Sequence, residues 1–514
     1  MKKIIIWILP IILAVSCSVQ KKNKPFTLKT AVSSFPETYD PITRSEFYTD
    51  LVNYNLFETL IKQTESNEYE PLLAKGWVNT NDSTLIISVR DNIYFHNGKH
   101  LDIEDIKASI KRGLFSKESI YRHLFNCSRF EITKIKDFQY EIESDLTEQE
   151  VMDVLSLLPI YNSNIIKQFN NTELKTNPVG TGKYYIHDKS DSLIVLKRFE
   201  DHWSQKPEIE QVMISKIQST GKQTDLLLHN KLDFILSPPL DRINDIKSNV
   251  STYIKENTGK VVMYMMLDAQ RKQTPSIPLK KNPLLKKEVR KALWHSVNID
   301  KFIREKLNNK ALKISQPFIP IHKGYNKNIE GLSYDPQKAK ELLEKAGYPN
   351  GFSLRLDCIK SKYMGDKLIG KYVEESFEDI GIDTEIVYNT SETFYNKIDR
   401  QNSSIYITGY TSYANNIYAG IWGLYDSKKG NLNRFRNHYE PIQKFIETRT
   451  ELKMNPGKHS ELLIEATNIV KDTYYVIPLY APKDLYALNT KYEWRPQKKQ
   501  LIYFSDFYLK DENN

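Results

Sequence analysis

Cysteine is scarce in this chain, with three among 514 residues, at positions 17, 127 and 358. A chain of this length buries enough apolar surface to fold without disulfides, so unpaired, buried thiols are the expected state of Cys127 and Cys358. CxxC, HExxH and histidine pairs at metal-ligand spacing are all missing, which argues against a protein-built zinc site. No GxSxG elbow accompanies the ten histidines, so the sequence offers no signature of a serine hydrolase. The phosphate-loop pattern GxxxxGK[ST] is also unmet: Gly180-Thr181-Gly182-Lys183 is preceded by Asn177 and followed by Tyr184. There is no internal repeat or low-complexity tract, and after residue 15 no apolar stretch is long enough to span a bilayer.

Charge of either sign is spread rather than concentrated. The 73 basic and 64 acidic residues leave a net +9, or +7 without Lys2 and Lys3. This is a solvated, mildly basic surface without the stripe that nucleic acid requires, so no nucleic-acid partner is expected. Residues 21–24 and 495–499 are the short basic clusters, the first suited to phospholipid headgroups. Tyrosine is plentiful, 32 against 21 phenylalanines and 6 tryptophans. A tyrosine joins an apolar face to a polar tip and suits ligand contact, although A/T-rich codons would enrich Ile, Lys, Asn and Tyr together.

The first residues are of a different kind. Lys2 and Lys3 precede a twelve-residue apolar run, 4–15, too short for a permanent membrane span, which predicts a cleaved export signal over 1–16. Ala14-Val15-Ser16-Cys17 resembles the bacterial lipobox, which implies that Cys17 is acylated and becomes the mature N-terminus. Two or more acyl chains give stable anchoring where one does not. The alternative is an ordinary signal peptide with a cysteine nearby. Residues 17–25 then form a polar, lysine-rich tether.

Along the rest of the chain, a strand is predicted over 26–32, a turn-rich loop over 33–41 and a helix over 48–61 with Leu51, Val52, Leu56, Phe57 and Leu60 on one stripe. Thr84–Val89 alternates, and 93–95 leads into the turn pair Asn97-Gly98, giving an antiparallel hairpin. Asp102, with Asp105 three residues on, caps a helix whose stripe is Ile103, Ile106 and Ile110. Asp335-Pro336 opens a helix that Gly347 stops, and 352–358, 366–380 and 382–388 read as strand, helix and strand. That last unit demands a parallel pair with a right-handed crossover, hence an α/β domain with its own sheet. Length alone predicts two or three domains.

Several segments together carry a family resemblance. Trp77-Val78-Asn79 to Asp82, 85–90, Phe95-His96-Asn97-Gly98 and Asp105 form one block, and 177–184 a second. Arg198-Phe199 with His202-Trp203 and Lys206-Pro207, Val289-Arg290-Lys291-Ala292-Leu293 with Asn298-Ile299-Asp300, Tyr334-Asp335-Pro336 with Ala346-Gly347, and Ile477-Pro478-Leu479-Tyr480 complete the set. In order and spacing they resemble extracytoplasmic solute-binding proteins of the peptide/nickel transporter class, family 5. The resemblance implies an α/β, two-lobed periplasmic-binding-protein-like fold of type II, the large class with an extra subdomain, whose lobes are joined by two hinge strands. Lobe one is expected at 26–265 plus 478–514, with the extra subdomain at about 62–178, and lobe two at 266–477. The hinges are expected near 264–268 and 475–479. The implied function is that of the substrate-binding receptor of an ABC importer: not an enzyme, without cofactor or metal, monomeric, anchored outside the cytoplasm, with permease and ATPase subunits as partners.

Aligned residue by residue, the resemblance implies ligand contacts at Ser34 and Phe35 in the early loop, Tyr121 after the helix 102–114, Arg400 before 405–407 as a carboxylate partner, Tyr410 with Ser412 and Tyr413, and Tyr480 in the last strand. Each has a plainer alternative as turn, core or surface residue. Peptide-binding relatives carry an aspartate for the ligand's amino group where this chain has Ser412 or Tyr413, and no carboxylate occurs between Arg400 and Asp426. Either another acid such as Glu37 replaces it or the ligand is not a standard free peptide, because an unpaired buried ammonium costs several kcal/mol. A lipid-anchored exported hydrolase, for which a glycosidase's paired carboxylates are not readable from sequence, and a non-transport sensor or chaperone on the same fold are the competing functions.

Overall fold

A computed structural model describes residues 25–43, 47–64, 68–81, 84–125, 127–322, 324–411, 417–447, 459–495 and 501–510. The expected signal and its Cys17, and the candidates Ser412 and Tyr413, lie outside these.

Local signals in the sequence form as read where the partner residues are near in the chain. Asp102 accepts the N–H groups of Glu104 and Asp105 while Asp105 accepts that of Asp102, a reciprocal cap on the helix Ile103–Phe115. Its stripe Ile106, Ile110 and Leu114 shares one core with Leu85, Ile87 and Val89 of the strand Thr84–Val89, which pairs with Ala74–Asn81 and Gln139–Ser144 in a four-stranded antiparallel sheet. This core runs from Leu60 to Ile160, and the next residue, Tyr161, already belongs to another. The extra subdomain is therefore a unit with its own hydrophobic interior. At 93–100 the expected hairpin contracts to a single bridge, Tyr94 to His100, turned by Gly98 at φ 81°.

The helix expected over 48–61 spans Phe47–Leu56 instead. The Leu56 carbonyl, which a longer helix would offer to Leu60, accepts the Gly182 N–H at 2.9 Å. Ile61–Gln63 then becomes a strand against Tyr69–Pro71.

A twelve-stranded sheet runs through the rest of the molecule. Its centre is the strand Val476–Asn489. Its first part pairs with Val261–Leu267 and its later part with Thr252–Thr258 and Phe234–Leu236. On one side follow Thr27–Val32, Gln211–Lys216, Leu193–Arg198 and Tyr184–Lys189; on the other Ile405–Thr411, Ser353–Ile359 and Asp383–Asn389. The predicted strand, helix and strand unit is present as Ser353–Ile359, Asp366–Glu378 and Asp383–Asn389, with parallel pairing. The buried core of 262–481 is separate from that formed by Leu28 to Ile214 with Tyr486 to Phe507.

Among the described residues, two strand segments thus join the lobes, and they run antiparallel. The first changes lobe at Gly259-Lys260, between Thr258 paired with Lys483 and Val262 and Met263 paired with Tyr410 and Tyr480. The second crossing is at 481–484, and the positions expected for the hinges, 264–268 and 475–479, fall on or beside these same two strands. Gly259 is required there for space: a Cβ would sit 2.1 Å from the Pro482 carbonyl oxygen.

Candidate functional site

Parallel strands determine where a cleft forms, because ligands occupy the crevice outside their carboxyl ends. In lobe one, Thr27–Val32 runs parallel to Gln211–Lys216 and Phe234–Leu236, so the loop 33–41 leaves at that end. In lobe two, Ser353–Ile359 runs parallel to Ile405–Thr411, so the segment 360–365 leaves at the carboxyl end that the two strands share. The hinge strands reach the same ends. Val261 pairs with Thr411, and the Ser237 N–H donates to the Leu485 carbonyl at 2.9 Å. Both lobes therefore turn the carboxyl ends of their strands toward one two-strand crossing.

Ser34 is exposed in the early loop and Phe35 is half-buried on the lobe-one core, with the Lys216 ammonium 5.9 Å from its ring centre. Glu37 is exposed in the same loop. The loop is clamped at Asp40, whose buried carboxylate accepts from Arg112 and from the Tyr161 hydroxyl at 2.6 Å. Tyr121 opens a short helix, Tyr121–Phe125, and is half-buried where the cores of lobe one and of the subdomain meet.

Tyr410 and Tyr480 come to one level of the sheet, opposite Val262 and Met263 of the strand between them. Both are buried and both hydroxyls are engaged by backbone: Tyr410 donates to the Pro317 carbonyl at 2.5 Å and Tyr480 to the Met364 carbonyl at 2.7 Å. Burial raises the pKa of each. They form the floor behind the strand ends, Tyr410 edge-on to Tyr264 at 5.9 Å. Arg400 is not brought to this group. It caps the helix Ser391–Asp399, exposed, at the amino end of Ile405–Thr411, and that strand is about 20 Å long at 3.3 Å per residue.

Two side chains at the strand ends escaped the sequence reading. Tyr363, in the segment after Ser353–Ile359, donates to the Gly409 carbonyl at 2.7 Å and covers the end of Ile405–Thr411. Lys260 sits in the crossing itself and is only 8% exposed. Neither has a periodic signal; the usable one was position, just beyond a strand end.

Two of the matched segments dock on each other at the base of the subdomain. The His96 ring Nε2 lies 2.8 Å from the Gly182 carbonyl, and its Nδ1 lies 3.4 Å from the Gly180 N–H. The pair assigns the Nε2–H tautomer, donating to Gly182 and accepting from Gly180. Burial holds the His96 pKa down at about 4. Cβ atoms at Gly180 and Gly182 would lie 2.0 and 2.5 Å from the carbonyl oxygens of Leu56 and Asn55, so both glycines are demanded by close approach.

Among the described residues, no group of three or more His, Cys, Asp and Glu is placed to hold a metal, and no helix is long and apolar enough to cross a membrane. Cys127 is half-buried and Cys358 buried, both unpaired; burial pushes the Cys127 thiol up to about 12.

The sequence model described as bacterial extracellular solute-binding proteins, family 5, middle, matches residues 68–431. The chain belongs to this family. The solute-binding protein is 23% identical to the dipeptide-binding protein of Escherichia coli over 95% of this chain and 93% of that one. It is 27% identical to the nickel-binding protein NikA of Staphylococcus aureus over 59% of this chain and 58% of that one. Among solved structures it matches the periplasmic binding protein DppA of Helicobacter pylori, in complex with the peptide STSA, at a TM-score of 0.78 and 20% identity, over 95% of this chain and 99% of that one. The solute-binding protein has the two-lobed α/β fold of type II with two hinge strands.

Proposed function

We propose that this chain is the substrate-binding receptor of an ABC importer, closing its lobes on small peptides or peptide-like solutes and delivering them to a membrane permease driven by separate ATPase subunits. It does no covalent chemistry, acts as a monomer outside the cytoplasm, and is tethered by acyl chains on Cys17. The observation that carries this reading is the convergence of both lobes' strand ends on a two-strand crossing, since closure about such a hinge buries both faces of a ligand and is driven by the ligand's extra contacts in the closed form. The near-full-length likeness to a dipeptide-binding protein supports peptides as the ligand class. In this reading Ser34, Phe35, Tyr121, Ser412 and Tyr413 meet the solute, Tyr410 and Tyr480 support the floor from within the core, and Arg400 acts from the far end of its strand as a surface residue.

The test offers the purified protein a pool of di- to pentapeptides and reads captured species by native mass spectrometry and the thermal midpoint. A peptide at a hundred times its Kd adds about 2.7 kcal/mol of stability. Capture without cleavage supports the receptor; no shift with any peptide, together with hydrolysis of the pool, rejects it. Separately, Cys17→Ala is expected to move the protein from membranes to the soluble exported fraction, and retention on membranes rejects the anchor.

A further inference from the structure

Three lysines lie near the crossing, and among the described residues one of them has no acid within ion-pair distance. Lys310 forms an ion pair with Glu256, which Lys483 approaches at 3.4 Å from the other side. Lys260, in the first crossing segment, is more than nine-tenths buried, yet its ammonium has no hydrogen bond or ion pair among the described residues. Its charged neighbours come from three elements. Asp50 lies on the lobe-one helix Phe47–Leu56, Asp484 on the long hinge strand, and His322 in a lobe-two loop. The two carboxylates are felt through space without reaching ion-pair distance, so Lys260 lies between the lobes rather than inside either.

Burial lowers the Lys260 pKa to about 8, with Asp484 and then Asp50 opposing the fall, so the group remains predominantly charged at neutral pH. His322 brings no second cation, because burial and the nearby Lys260 hold its pKa down at about 3. Thr49 and Asn53, one residue before and about one turn after Asp50 on the same helix, also bury side-chain polar atoms that have no partner among the described residues. A buried ammonium with no carboxylate in direct contact gives up hydrogen bonds that water would supply, and a ligand anion arriving between the lobes would restore one.

We propose that Lys260 is an anchor for a carboxylate of the captured solute, held at the hinge where both lobes meet. The inference rests on the interlobe receptor reading above and adds the charge of the group nearest the crossing. A single compact ammonium accepts a carboxylate from several directions, so it selects for an acid without fixing the side chains beyond it. Lobe closure is coupled to that contact, because the ammonium gains a directly bonded charge partner only when the solute sits at the crossing.

The test uses one pool of synthetic tri- and tetrapeptides made in two forms, with free C-terminal carboxylates and with C-terminal amides, against wild type, Lys260→Met, Lys260→Gln and Lys260→Arg. Wild type is expected to hold the free acids at least about tenfold more tightly than the amides, a loss typical of a charged hydrogen bond. Lys260→Met and Lys260→Gln should bind both forms with the wild type's affinity for amides, and Lys260→Arg should keep the preference. If Lys260→Met fails to fold, the Gln variant decides. Retention of the acid preference in Met or Gln variants that still bind amides overturns the anchor and leaves the receptor reading standing, as does equal wild-type binding of acids and amides. Capture of neither form by wild type overturns both.

Discussion

Arg112 grips Asp40 with two parallel hydrogen bonds, Nη1 to Oδ1 at 2.8 Å and Nη2 to Oδ2, and its guanidinium carbon lies 5.0 Å from the Tyr161 ring centre. The carboxylate is fully buried and the guanidinium nearly so, and the pair ties the early loop to the subdomain helix. Removing one partner leaves a buried charge uncompensated. Arg112→Ala is therefore expected to lose about 3–5 kcal/mol, measured by urea unfolding. Arg112→Lys, which keeps the charge but not the fork, should lose less. A loss below 1 kcal/mol for the alanine would show that solvent replaces the pair.

Gly259 predicts the tolerance of the hinge. A methyl group there meets the Pro482 carbonyl oxygen at 2.1 Å, so Gly259→Ala must push the two crossing strands apart, at a cost of about 1–3 kcal/mol. Gly221 is the control. It lies in the helix Thr220–Leu228, its added Cβ would come no nearer than 3.6 Å to another atom, and Gly221→Ala should stabilise by about 0.5–1 kcal/mol. Equal thermal midpoints for the two variants would contradict the close approach.

The two core tyrosines make a third case. Tyr480→Phe removes the donor to the Met364 carbonyl and should cost about 1–3 kcal/mol, as should Tyr410→Phe at Pro317. Tyr94→Phe, at an exposed position, should stay within about 0.5 kcal/mol. Calorimetry that ranked Tyr94→Phe with the other two would show that the buried hydroxyl bonds add nothing.

Stability should fall with acidification in a defined window. The pKa values of His96 and His322 are lowered to about 4 and about 3 in the folded protein, against about 6.5 in an unfolded chain. Below pH 6.5 the unfolded chain takes up protons that the folded one refuses, so this contribution is complete above pH 6.5 and is lost as pH falls toward 4. The slope is at most about 1.4 kcal/mol per pH unit for each histidine. His322→Gln should flatten the dependence of the urea midpoint between pH 7 and 5, and an unchanged slope would remove His322 from the account.

The parts of the fold legible in the sequence are those whose causes are local. Asp102 with Asp105, Asp335-Pro336 and the unit from Ser353 to Asn389 formed as read, because each is set by residues close in the chain. The helix after residue 47 ended early because its stopping signal, the Gly182 N–H, arrives from far along the sequence. Val262 to Leu267 are buried without interruption, so hydrophobicity does not mark where one lobe becomes the other. Of the candidate site, the resemblance named Tyr410 and Tyr480 separately, and their common level appears only once the strands pair with Val261–Leu267 between them. Lys260 was not readable, since the charged groups that act on it, Asp50, His322 and Asp484, come from three distant segments.

The strand Val476–Asn489 also sets an order in time. Both lobes use it as an interior strand of their sheets, and it follows more than nine-tenths of the chain. Further on, the Phe504 N–H donates to Asn55, and the Tyr492 hydroxyl donates to the Thr27 carbonyl 465 positions away. Neither lobe can complete its sheet until nearly the whole polypeptide has been made, and contacts of such sequence separation form slowly. A nascent chain of this protein therefore stays open until its last segment arrives, so a truncation shortly before residue 476 would leave two unfinished sheets rather than one intact lobe.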